Sequence, residues 1–172
     1  MTWQEEAAAR LRRGNALLFE KKSLLLAPLA AELEGCGSRR TAFWALDLAE
    51  EIAGELKARM PEEGRPAAAV AASRAWAAGA LRMPAVRPLI LACHAAARET
   101  DRENAALCHA VAQGCSTVHA RGHALGLPIY ELTALALRFG LERGEVLEAR
   151  AAEYLDRLRR TADRPAAAFL KD

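Results

Sequence analysis

The sequence predicts an all-α fold, a single domain built as a multi-helix bundle of about seven or eight helical segments. Three observations lead there. About a quarter of the 172 residues are alanine and leucine comes next, while Val, Ile and Thr are sparse, so helix is favoured and a sheet has little to build with. Apolar residues recur at three- and four-residue steps, the repeat of a helix face. Breakers then fall between these runs, at Gly14, Gly35, Pro61 to Pro66, Pro84 and Gly140. A chain of 172 residues is the length of one domain, 1–172, and 52% hydrophobic content with 27% charge excludes disorder as its default state.

Thr2-Trp3-Gln4-Glu5 reads as a capping box that opens a helix running to Gly14. A second apolar stretch carries Leu17, Leu18, Leu24, Leu25 and Leu29, is interrupted near Pro28 and stops at Gly35-Cys36-Gly37. Ser38 is placed to cap a long helix through about Arg59, with Phe43, Trp44, Leu46, Leu48, Ile52 and Leu56 on its apolar side. Met60 to Pro66 is the clearest loop, and Pro66 suits the first turn of the next helix. Met83-Pro84 punctuates again before a helix that holds Ile90, Cys93 and His94 and ends around Glu99. Asp101 caps another helix through Leu107 and Val111 toward His119. Gly122 and Pro128 loosen the chain before a helix to Gly140, and the last helix starts near Glu145. The tail after about residue 163 reads as frayed. Trp44, Leu48, Ile52, Trp76, Leu89, Ile90, Leu107, Val111 and Leu135 are the expected core.

Charge and composition exclude several classes of function. With 24 basic against 22 acidic residues, the net of +2 gives no strong field for nucleic acid or a membrane surface. No apolar run is long enough to span a bilayer. The first residues lack the basic start and apolar stretch of a secretory signal, which gives cytoplasmic localisation as the expectation. Cys36, Cys93, Cys108 and Cys115 could pair in three ways. On one helix, however, Cys108 and Cys115 would stand about 10 Å apart along the axis, so reduced thiols are expected.

Chemistry has few candidates. The most unusual cluster is Cys115-Ser116-Thr117-Val118-His119-Ala120-Arg121-Gly122-His123. On a continuous helix, His119 and His123 would lie one turn apart, the spacing with which two imidazoles chelate a metal such as zinc. Cys115 would stand about 12 Å from His123 along the axis, too far to share the ion, so a third ligand would have to come from elsewhere, with His94, Glu99 and Asp47 as candidates. The blander reading is a pair of histidines in a core or pocket between helices, hydrogen-bonded to partners that include Asp47, Glu50 or Glu99. On that reading their replacement by alanine costs on the order of 1–3 kcal/mol and no metal or other cofactor is involved. Cys115 beside His119 could make a thiolate–imidazolium pair, but a cysteine on an alanine-rich helix is usually buried and inert. Asp47 and Glu50 most simply line a solvated helix face. Arg10, Arg12 and Arg13, with Arg157, Arg159, Arg160 and Arg164, could form a basic patch; the interleaved glutamates make them solvated faces instead. No catalytic constellation emerges.

Three stretches together resemble a known family: Trp44-Ala45-Leu46-Asp47-Leu48-Ala49-Glu50, His94-Ala95-Ala96-Ala97-Arg98-Glu99, and Gln113 through Gly126 with its His119 and His123. In that order they are similar to the putative immunity protein family of bacteria, an all-helical group held to counter toxins of polymorphic or contact-dependent systems. The resemblance covers about residues 41–137. It implies a small cytoplasmic protein that binds a cognate protein toxin and occludes its active site or substrate groove without catalysis. It carries no catalytic residue across. The competing class is a helical metal- or small-ligand-binding protein, or an enzyme, built around His119 and His123 with a divalent metal. Neither class determines an oligomeric state.

Overall fold

The computed structural model describes residues 1–161, and within them the chain forms eight α-helices, three short 3-10 turns and no strand. The helices are α1 (Trp3–Arg12), α2 (Ala27–Glu34), α3 (Ser38–Arg59), α4 (Arg65–Ala77), α5 (Met83–Ala96), α6 (Arg102–Ser116), α7 (Gly126–Phe139) and α8 (Gly144–Thr161). The all-α expectation holds. The tail after about residue 163, and Arg164 with it, lies outside the described residues.

Side-chain caps open α1 and α6. Thr2 accepts from the Glu5 amide while the Glu5 carboxylate accepts from the Thr2 amide, closing the expected capping box of α1. Asp101 accepts from the Asn104 amide at 3.0 Å and opens α6. For α3 the capping position is Gly37, and Ser38 is the first helical residue. Pro28 proves to start α2 rather than interrupt it, because a first-turn amide has no intrahelical acceptor to lose. The preceding segment is irregular, yet it buries Leu18 and Phe19; the Leu18 amide donates to the Thr133 hydroxyl at 3.1 Å.

The centre of the bundle is α6, packed against α3 and α7 and flanked by α4 and α5. Most of its buried residues are small, namely Ala106, Cys108, Ala110, Ala112, Gly114, Cys115 and Ser116, with Asn104, Leu107 and Val111 the larger ones among them. A Cβ on Gly114 would come within 2.7 Å of the Leu127 side chain, 2.9 Å of Ala49 and 3.0 Å of the Ala45 carbonyl. Glycine is therefore what lets α3 and α7 close on α6 at that level. Trp44, Leu48, Ile52, Ile90, Leu107 and Val111 are buried as expected. Trp76 and Leu135 are only partly covered, and Leu89 is exposed. The reason for Leu89 is that α5 buries a single stripe, Val86, Ile90, Cys93 and Ala96, and turns its other sides outward. All four cysteines are free and buried, and Cys93 donates its thiol to the Cys108 carbonyl.

On the opposite side of the bundle a polar network ties α7, α8 and α3 together. Buried Glu131 accepts from the Tyr154 hydroxyl at 2.6 Å and from Arg150 at 2.8 Å, and Arg150 also pairs with Glu51 and Glu153. Trp44 donates its indole N–H to the Tyr154 carbonyl at 2.9 Å. No helix among the described residues is long and apolar enough to cross a membrane.

Candidate functional site

The helix that carries His109 ends before it reaches His119. Ser116 and Thr117 turn their hydroxyls back onto the carbonyls of Ala112 and Gln113, at 2.9 and 3.0 Å. Such back-bonding competes with the backbone ladder. Ala120 is then extended, and a 3-10 turn over Arg121–His123 leads into α7. The expectation of a continuous helix through His119 and His123 is thus corrected. The two rings still approach, with centroids 6.1 Å apart and planes at 52°, but both are exposed rather than sunk in a pocket. His123 donates from Nδ1 to the Gln113 carboxamide oxygen at 3.0 Å. Gly126 makes room for that contact, since a Cβ there would lie 2.5 Å from the same oxygen.

His94, on α5 and a candidate third ligand for His119 and His123, has a different histidine as its partner. Its Nδ1 lies 2.8 Å from Nδ1 of His109 on α6, and the His109 ring stacks at 4.9 Å on Tyr130 of α7. One ring must donate the shared proton and the other accept it, so the pair requires two neutral imidazoles or one proton between them. Burial, with His109 and His123 nearby, pushes the His94 pKa down to about 4. Burial and Arg98 lower that of His109, and burial, His123 and Arg87 lower that of His119. Sequence reasoning missed His109. Its partnership with His94 is set by the crossing of α5 over α6, which no local spacing announces.

The three carboxylates named from the sequence are engaged elsewhere. Asp47 and Glu50 on α3 both pair with Arg74 of α4, at 3.0 and 2.5 Å. Glu99 joins Glu63 around Arg65, and both carboxyls are held below the usual range by that arginine. Among the described residues it is Arg74 and Arg65 that hold these carboxylates, in place of the expected histidine–carboxylate pocket. Among the described residues no group of three or more His, Cys, Asp or Glu could hold a metal ion. Beside Gly122, on the α2 side, a groove of about 420 Å³ is lined by Lys21, Leu33, Arg121 and Leu125; neither histidine lines it.

What the structure does assemble is one surface. The exposed side of α5 meets His109 and Tyr130 from its neighbours and the His119–His123 segment beyond them. Leu91 stands 60% exposed on it. Chemically it offers aromatic edges, imidazole donors and acceptors, guanidinium groups and apolar contact, the mixture found where proteins dock.

A family model described as Imm-5 like putative immunity protein matches residues 33–163. The match extends the resemblance seen at residues 41–137 on both sides, through α8. No curated protein and no solved structure matches the chain.

Proposed function

The chain belongs to this Imm-5-like family, and from that premise we propose that it is an immunity protein: it binds a cognate protein toxin in the cytoplasm and neutralises it by covering the toxin's working surface. The observation that supports this reading is the outward side of α5. A helix that buries one stripe and leaves Leu89, Leu91, Pro84 and Pro88 in solvent is poorly matched to its own fold and well matched to a partner. Neutralisation by occlusion needs no catalytic group and no cofactor in this chain.

The test is a pull-down from the native host that includes the products of neighbouring genes, followed by co-expression with any captured protein that proves toxic on its own. Protection of growth, with intact toxin recovered in a stoichiometric complex, is the expected result. Protection with chemically altered toxin would replace occlusion by catalysis. Stoichiometric zinc in protein purified without a histidine tag, lost when His119 and His123 are replaced, would instead move the assignment to a metal-binding protein.

A further inference from the structure

The 22 acidic residues are distributed unevenly along the chain. None lies between Glu63 and Glu99, and none between Glu103 and Glu131. Those two stretches supply α4, α5, most of α6 and the start of α7, and they hold all four histidines. They also hold six of the 24 basic residues, so the rest of the molecule carries the excess of acid.

Three of those six are satisfied internally. Arg65 and Arg74 are held by carboxylates, and Arg121 donates to the Cys36 carbonyl at 2.6 Å. Arg82, Arg87 and Arg98, all exposed, have no ion-pair partner among the described residues. The arginines outside those two stretches contrast directly: Arg59 and Arg138 share Glu103, and Arg150 and Arg157 share Glu51 and Glu153.

Arg87, Leu91, His94 and Arg98 follow at steps of four, three and four, which sets them on one line of the helix and its 3-10 extension. The line is about 16 Å long, with a guanidinium at each end and an apolar side chain between. A guanidinium fork finds its best planar partner in a carboxylate. Leu91 has no use against a phosphate backbone, and a few arginines are a thin footprint for nucleic acid.

We infer that this line of α5 is the anchor for an acidic protein surface, Arg87 and Arg98 each engaging carboxylates on the partner while Leu91 fills an apolar contact between them. The inference rests on the immunity reading and adds to it the chemistry of the partner.

The experiment measures binding and growth protection against the toxic protein captured by the pull-down described above. The variants are R87E/R98E, the milder R87Q/R98Q, L91E, and the reversal R12E/R13E at the end of α1 as a charge control. A chemical probe, a poly-L-glutamate peptide titrated into isotope-labelled protein, runs in parallel. The expected result is a loss of affinity of about a hundredfold in R87E/R98E, about tenfold in L91E, and little change in R12E/R13E. The peptide should shift the amides of residues 87–98 first. R87Q/R98Q keeps the test informative should the reversal unfold the chain, and it should lose about tenfold. If the wild type protects and binds but the α5 variants do so equally well, the acidic-partner inference is overturned and the immunity reading stands. If the wild type neither binds nor protects, the reading itself falls and takes the inference with it. Self-association abolished by R87E/R98E, or duplex RNA binding abolished by it, would assign the face to a second copy or to nucleic acid and overturn the proposal.

Discussion

The Nδ1 atoms of His94 and His109 stand 2.8 Å apart across the α5–α6 crossing, so each ring fixes the tautomer of the other. A second proton cannot be added without placing two N–H groups face to face. With Tyr130 stacked on His109, three helices meet at this pair, and its protonation state is tied to how they pack.

Stability should therefore fall on mild acidification. An unfolded histidine takes up its proton near pH 6.5, whereas folded His94 does so only near pH 4. Between these values the unfolded chain binds protons that the folded chain refuses, so unfolding is favoured as the pH drops through that window. Urea titrations at pH 7 and pH 5 should differ by on the order of 1 kcal/mol from this pair, after allowance for its partial exposure. In His94→Asn the difference should shrink. A profile as steep in the variant as in the parent would remove His94 from the account.

His119 and His123 should matter little to the fold. Both rings are exposed, and His123 is held only by Gln113 among the described residues, a partner that remains accessible to water. Replacing both by alanine should change stability by about 0.5 kcal/mol or less in thermal unfolding, in place of the 1–3 kcal/mol that burial would have implied. A larger loss would mean that the 121–123 turn depends on them.

Glu131 should be among the most sensitive positions in the chain. Its carboxylate is about 5% exposed and holds both the Tyr154 hydroxyl and Arg150. Glu131→Ala leaves the Tyr154 hydroxyl without its acceptor and Arg150 with only its more exposed partners Glu51 and Glu153, and should cost about 2–4 kcal/mol, against about 1–2 kcal/mol for Tyr154→Phe. The ratio of the two denaturation midpoints checks the claim. Equal effects would show that the arginine finds solvent once its partner is gone.

The buried thiols should be silent. Burial pushes the Cys108 pKa up to about 11 and that of Cys115 to about 12, and raises those of Cys36 and Cys93 as well. A thiol reagent at pH 8 should label none of the four in the folded protein and all of them in urea. Fast labelling of one cysteine in buffer would mark a local opening around it.

Much of the fold was legible because its boundaries are written in local chemistry. Thr2, Asp101, Pro66 and Gly140 each act within a turn of where they stand, and the apolar steps of α3 select its buried side directly. The end of α6 was not legible, because two hydroxyls on Ser116 and Thr117 stop the helix without a proline or glycine at the break. Pro28 was ambiguous for the opposite reason: proline interrupts a helix or begins one according to where the first turn falls. Of the site, the sequence marked His94, His119 and His123 but not His109 or Gln113, the partners that His94 and His123 take. The two acid-free stretches were the available signal, and they point to a surface rather than to a pocket. Asp47, Glu50 and Glu99 looked free because their arginine partners come from other helices.

The seam along α6 has a consequence for recognition. Alanine, glycine and cysteine have few or no rotamers to freeze, so the helices that meet there are positioned by backbone contact more than by interlocking side chains. The helix carrying Arg87, Leu91 and Arg98 is seated on that seam. Its display surface is therefore preorganised before any encounter, and little conformational entropy remains to be surrendered on docking. Gly114→Leu, by wedging α3 and α7 off the seam, would loosen a surface that it never touches.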